Sequence, residues 1–75
     1  MQIYLNLSGD SGVTAYEIGE DFIIVEFEGR SQYLYNYAMT GSGNVERMKQ
    51  FAISGRGLNS YISRTVRKLY AAKLR

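Results

Sequence analysis

The stretch SQYLYNY, residues 31 to 37, decides the fold. Its three tyrosines, Tyr33, Tyr35 and Tyr37, recur at every second position. In a β-strand this spacing places all three rings on one face of the sheet. We therefore predict a strand over residues 32 to 38, with an aromatic face that is either buried in a core or presented to a partner.

Three further strands are predicted before this stretch. Residues 13 to 18 (VTAYEI) and 22 to 28 (FIIVEFE) are rich in β-branched and aromatic residues, which favour strands. Residues 2 to 7 (QIYLNL) alternate in polarity and predict an N-terminal strand with Ile3, Leu5 and Leu7 on one face. The connections between strands are short and rich in glycine, including a turn over residues 8 to 12, so the strands form an antiparallel meander.

The turn after the third strand determines which residues share a face with the tyrosines. A two-residue loop at 29–30 pairs Phe27 with Gln32 and places the tyrosines on the side of Glu26. A three-residue loop at 29–31 pairs Phe27 with Tyr33 and joins the tyrosines to Ile23, Val25 and Phe27. Because register follows the hydrophobic pattern of a buried face, we predict the three-residue loop. Phe22, Ile24 and Leu34 then lie on the opposite face.

Two helices are predicted after the sheet. Following a loop at 39–44, Val45, Met48, Phe51 and Ala52 recur at helical spacing, with Ser42 or Asn44 as the cap and Gly55 as the terminating glycine. Residues 54 to 57 (SGRG) connect to a longer helix over residues 58 to 75, capped by Asn59 or Ser60. The apolar stripe of this second helix consists of Leu58, Ile62, Val66, Leu69 and Tyr70.

The sequence thus predicts a single α+β domain over residues 1 to 75. Its architecture is a three- or four-stranded antiparallel β-meander followed by two C-terminal helices packed on one face. We expect Tyr35 to be a core residue, since an aromatic stripe opposite a Val/Ile stripe is typical of a core.

Composition restricts the chemistry. The chain has no Cys and no His, and so lacks thiol nucleophiles, thiolate metal ligands and the commonest general base. Its carboxylates form no recognisable catalytic pair. We therefore expect a protein that is not an enzyme and that uses no metal or cofactor. Neither a signal peptide nor a membrane span is apparent, which indicates a soluble, cytoplasmic protein with no membrane partner.

Charge is distributed unevenly along the chain. Residues 1 to 29 hold six acids and no base, whereas residues 30 to 75 hold nine bases and one acid, giving charges of −6 and +8. Such asymmetry indicates a polyanionic partner for the second half. The alternative is that acidic strands pair with basic helices inside one small domain.

The order of these features resembles the KTSC domain family, a small module found at the C-terminus of some lysyl-tRNA synthetases and as stand-alone bacterial proteins. The resemblance covers about residues 11 to 70. It is carried by Tyr16, the Ile23-x-Val25-x-Phe27 strand, Tyr33-Leu34-Tyr35, the SGRG connector, Asn59, and the basic segment from Ile62 to Tyr70. The synthetase context implies RNA binding; the family's activity is not established.

We therefore predict a nucleic-acid interface, with RNA as the partner. Its residues are the basic side chains of the last segment, Arg56, Arg64, Arg67, Lys68 and Lys73. Tyr33 and Tyr35 join them in the alternative in which the aromatic face is exposed and stacks on nucleobases. On a helix, Arg64, Arg67 and Lys68 are neighbours. The competing interpretation is a solvated helix whose bases maintain solubility.

The alternative function is a protein–protein interaction module or a small homo-oligomer. It would use the apolar patch formed by Phe22, Ile24 and Leu34, because such a patch is unusual on a monomer. For this patch we expect either weak self-association or coverage by residues 2 to 7, whereas an RNA-binding module predicts salt-sensitive binding of a polyanion.

Overall fold

A computed structural model describes residues 1–9 and 11–75, and its framework is one antiparallel sheet. The five strands follow one another in the order of the sequence, each hydrogen-bonded to the next. They are β1 (Gln2–Ile3), β2 (Val13–Ile18), β3 (Phe22–Phe27), β4 (Gln32–Asn36) and β5 (Ala72–Lys73). The predicted turn over residues 8 to 12 includes Asp10, which lies outside the described residues.

Helical segments occupy most of the chain between β4 and β5. They are α1 (Tyr37–Thr40), α2 (Ser42–Ser54), α3 (Leu58–Tyr61) and a π-helical turn (Ile62–Val66) that continues α3. In the described chain, no helix has the length and apolar character needed to cross a membrane.

The predicted fold class is confirmed: an antiparallel meander is followed by helices that pack on one face. The bounds predicted for the second strand are those of β2, and the third strand ends one residue earlier than predicted. The fifth strand was not anticipated, because the sequence around Ala72 has the composition of a helix end.

The turn between β3 and β4 corrects the predicted register by two residues. Val25 pairs with Tyr33 and Ile23 with Tyr35, and the Phe27 N–H donates to Ser31 O at 2.8 Å. The loop therefore contains residues 28 to 30, with Gly29 in the left-handed region at φ 83°. Because the shift is an even number of residues, the predicted faces survive, and Tyr33 and Tyr35 lie beside Val25 and Ile23.

The core lies between this face of the sheet and the helices. Ile23, Val25 and Tyr35 pack there with Val45, Met48, Ala52, Leu58, Ile62 and Val66. Tyr35 retains only 2% of its surface, which confirms its placement in the core. Burial, with Tyr33 and Tyr70 nearby, raises the pKa of Tyr35 to about 12.

The tyrosine stripe ends earlier than predicted. Asn36 is both the last residue of β4 and the cap of α1, since its side-chain oxygen accepts the Met39 N–H at 2.9 Å. Tyr37 therefore lies on α1, exposed, and residues 37 to 40 are helical where a strand end and a loop were predicted.

The strand predicted over residues 2 to 7 is limited to β1, and the N-terminal segment buries Tyr4 and not the face of Ile3, Leu5 and Leu7. Ile3, Leu5 and Leu7 are more than half exposed, whereas Tyr4 retains 4% of its surface. The phenol of Tyr4 accepts the Leu58 N–H at 3.3 Å, so this ring both fills the core and satisfies the first amide of α3. A phenol does both, and the aliphatic side chains do not.

The helix predicted over residues 58 to 75 ends at residue 66. Arg67 N–H donates to Ile62 O at 2.7 Å, a π-type bond, and the backbone then leaves the helix. Tyr70 packs edge-on against Tyr33, with ring centroids 4.8 Å apart, and β5 pairs with β4. Burying an aromatic ring and pairing a sheet edge outweigh two more turns of exposed helix.

The predicted helix caps are partly correct. Gly55 terminates α2 at φ 83°, as predicted. Ser42 and Asn44 are inside α2, which begins after Gly41, and Asn44 donates to Thr40 O at 2.8 Å. Likewise Asn59 and Ser60 lie inside α3, which follows Gly57.

Candidate nucleic-acid interface

Three of the predicted basic residues lie around the π-helical turn that continues α3. Ile62 and Val66 are buried and anchor the π-helical turn, while Arg64, Arg67 and Lys68 are exposed around it. Thr40, itself 3% exposed, donates its hydroxyl to Leu69 O at 2.6 Å and holds the chain where it leaves the turn.

These three bases line a single depression, which we call the basic surface. It is formed by Arg64, Thr65, Val66, Arg67, Lys68 and Leu69. The predicted clustering of Arg64, Arg67 and Lys68 is therefore present. Its cause differs from the prediction, because the bases surround the end of a helix and do not follow one helical face.

An aromatic depression adjoins the basic surface. Its lining consists of Phe51, Gly57, Ser60, Tyr61, Arg64 and Thr65, so Arg64 and Thr65 belong to both. The rings of Phe51 and Tyr61 lie 5.2 Å apart between centroids, and both are half-buried. The helical spacing placed Phe51 on the apolar face of the first predicted helix, and Tyr61 was not among the predicted site residues. The available signal was an aromatic residue three positions before Arg64.

The remaining predicted site residues lie elsewhere. Arg56 is exposed in the connector and lines neither depression. Lys73 is on β5, where its ammonium lies 5.8 Å from the centroid of the half-buried Tyr33 ring. Tyr35 is buried and presents no ring face to a ligand. The structure thus brings together Arg64, Arg67 and Lys68, whereas Lys73 and Tyr33 line neither depression.

The electrostatics of the basic surface are unbalanced. In residues 1–9 and 11–75, the single ion pair joins Lys49 to Glu46 at 2.7 Å within α2. Arg64, Arg67 and Lys68 thus have no carboxylate partner among the described residues. The ion pairs of the described residues therefore do not support the alternative in which acidic strands pair with the basic segment.

Tyr37, Glu46 and Lys49 form a hydrogen-bonded group of titratable side chains on α1 and α2, outside the basic surface. Glu46 accepts from both Lys49 and Tyr37, and these hydrogen bonds lower its pKa below the usual value. Donating to Glu46 at 2.6 Å raises the pKa of Tyr37. Lys49 also donates to Glu20 O at 2.9 Å, so this exposed group joins α2 to the turn before β3.

A metal centre is not formed by the part of the chain that the structure describes, where no group of three or more acidic side chains converges. The side chains of the basic surface and the adjoining aromatic depression offer cations, hydroxyls and aromatic rings. These groups bind anions and planar ligands by charge, hydrogen bonds and stacking.

Comparison with known proteins gives no match to any family model, any curated protein or any solved structure.

Proposed function

We propose that this protein is a non-enzymatic module that binds RNA through the basic surface. The observation that carries the proposal is the meeting of Arg64, Arg67 and Lys68 around one depression, without a carboxylate partner in the described chain.

A bound polyanion compensates the positive charge that is concentrated on the basic surface. Like charges crowded on a small surface repel one another, and no acid occurs from Gly55 to the end of the chain to relieve them. A phosphate backbone relieves this repulsion and releases its own counterions on binding. The planar guanidinium of arginine also donates two parallel hydrogen bonds to two oxygens of one phosphate.

The choice of RNA rests on the resemblance of residues 11 to 70 to the KTSC domain. That family's place beside lysyl-tRNA synthetases favours RNA over other polyanions. The absence of His and Cys from the sequence supports a binding role over a catalytic one.

The test is the salt dependence of binding to a fluorescently labelled single-stranded RNA. Three phosphate contacts predict a slope of log K against log salt of about −2, since each contributes about −0.7. Arg64→Gln/Arg67→Gln should make the slope shallower by about 1.4. A matched control is Arg30→Gln/Arg47→Gln, because both double variants lower the net charge from +2 to 0 and the control residues line neither depression.

The control variant should retain the wild-type slope. Equal changes in the two double variants would mean that only net charge matters and that the basic surface is not the site. If the affinity of the wild type for RNA does not change with salt concentration, the proposal of RNA binding is wrong.

A self-associating module is the second candidate. Phe22, Ile24 and Leu34 are half-buried on the sheet face opposite the core, and Ile3, at 77% exposure, adds to the apolar surface of the protein. Two sheets that pack face to face bury such side chains. This candidate predicts that the molecular mass in solution rises with protein concentration. It also predicts contact through β3 and β4, not through α3 and the π-helical turn.

A further inference from the structure

We propose that the aromatic depression is a subsite for one unstacked base of a single-stranded RNA whose phosphates lie on the basic surface. The proposal rests on the proposed function and deepens it. It assigns recognition of a nucleobase to Phe51 and Tyr61. These two residues are uncharged, so the distribution of charge alone does not identify them.

The first support is the continuity of the two depressions. Arg64 and Thr65 line both, so a ligand that contacts them reaches the aromatic rings on one side and Arg67 with Lys68 on the other. A nucleotide has this combination of parts, namely a planar base joined through a sugar to an anionic phosphate. Single-stranded nucleic acids are bound by such combinations of stacking rings and basic grooves.

The second support is the fixed position of the Tyr61 ring. Its phenol donates to Asn44 Oδ1 at 2.7 Å, while Asn44 Nδ2 donates to Thr40 O at 2.8 Å. The chain of hydrogen bonds links α3 to α2 and α1. A ring held in this way loses little freedom when a ligand stacks on it.

Phe51 is held by a close backbone approach. At Gly57, where φ is +88°, an added Cβ would lie 3.0 Å from Phe51 Cδ1. The ring therefore packs directly on the connector, and Gly57 provides the space for it. Both rings keep part of their surface accessible, unlike Tyr35.

The size and polar lining suit a base. The depression holds about 440 Å³, within the roughly 300–1,000 Å³ of small-ligand sites. The hydroxyls of Ser60 and Thr65 and the Arg64 guanidinium are the polar groups of its lining. A depression of similar size beside β1 includes the Glu17 carboxylate in its lining and no Lys or Arg side chain, so it suits a phosphate less well.

The experiment compares two probes of equal length and charge: an oligouridylate and an abasic ribose–phosphate oligomer. Wild type should bind the oligouridylate about 5- to 150-fold more tightly, the range for stacking of one base. Tyr61→Leu removes one of the two rings and should lose most of this preference, while its affinity for the abasic oligomer stays at the wild-type value. Tyr37→Leu is the matched control and should keep the wild-type preference.

A fluorescent variant makes the test independent of any loss of stability in Tyr61→Leu. The chain has no tryptophan, so Tyr61→Trp introduces a single reporter. Its fluorescence should be quenched by the oligouridylate and not by the abasic oligomer.

The outcomes separate the subsite from the proposed function. Equal affinity of wild type for the two probes, or no selective quenching, overturns the subsite and leaves the basic surface in place. If wild type binds neither probe, both proposals are wrong.

Discussion

Tyr35 and Tyr37 differ by two positions in the sequence and by a complete change of environment. Tyr35→Ala should lower the free energy of unfolding by about 3–5 kcal/mol, as for other large buried aromatics. Tyr37→Ala removes an exposed ring and should cost less than about 1 kcal/mol. Chemical denaturation of both variants measures the difference. Equal losses would contradict the ending of β4 at Asn36.

The Tyr35 phenol also predicts a loss of stability at alkaline pH. Its pKa is about 12 in the folded protein against an ordinary value of 10.0, so the folded state retains a proton that the unfolded state releases. The resulting stability is complete below about pH 10 and declines as the pH rises toward 12. Denaturation midpoints across this range should fall less for Tyr35→Phe than for wild type. Identical pH profiles would contradict burial as the cause.

For a single residue, the sequence predicts the face of a strand on which the side chain lies better than it predicts the residues that the side chain contacts. The period of two identified the core face of β4, and an error of two residues in the turn left that face intact. Tyr4 could not be assigned, because its role depends on Leu58, which is 54 residues away. Likewise Asn44 was predicted as a cap, whereas its amide serves Thr40 and Tyr61.

The segment after Val66 provides the test at the scale of elements. In a continuous helix, Leu69 and Tyr70 would share the apolar stripe. In the structure, Tyr70 packs on Tyr33 and Tyr35, and Leu69 is 41% exposed. Tyr70→Ala should therefore cost about 2 kcal/mol, combining lost burial and lost ring contacts.

Leu69→Ala is the matched control and should cost less than about 1 kcal/mol. Thermal and chemical unfolding of the two variants decide between the strand and the helix. A larger loss for Leu69→Ala than for Tyr70→Ala would favour the continuous helix.

Local helix propensity explains why the residues after Val66 were wrongly predicted to continue the helix. Residues 66 to 75 contain good helix formers and no proline or glycine, which favours a helix. Tertiary contacts override that preference, since β4 has an open edge and the ring of Tyr70 fits beside Tyr33. By contrast, β2 and β3 were predicted almost to the residue because their β-branched and aromatic pattern agrees with their packing.

On the scale of the whole molecule, the uneven charge of the sequence remains uneven in the fold. Only Lys49 and Glu46 form an ion pair among the described residues, so the basic end of the chain keeps its charge at the surface. Helical spacing predicted that Arg64, Arg67 and Lys68 would be close together. It could not predict the adjacent rings of Phe51 and Tyr61, because they come from two helices joined by a glycine-rich turn.

The most direct measurement for the central claim is an amide chemical-shift map of the isotopically labelled protein during titration with single-stranded RNA. RNA binding at the basic surface should produce salt-sensitive shifts concentrated over residues 57 to 69 and near Phe51, with little change on β3 and β4. Shifts confined to β3 and β4 that follow protein concentration, with none over residues 57 to 69, would contradict RNA binding at the basic surface and favour self-association.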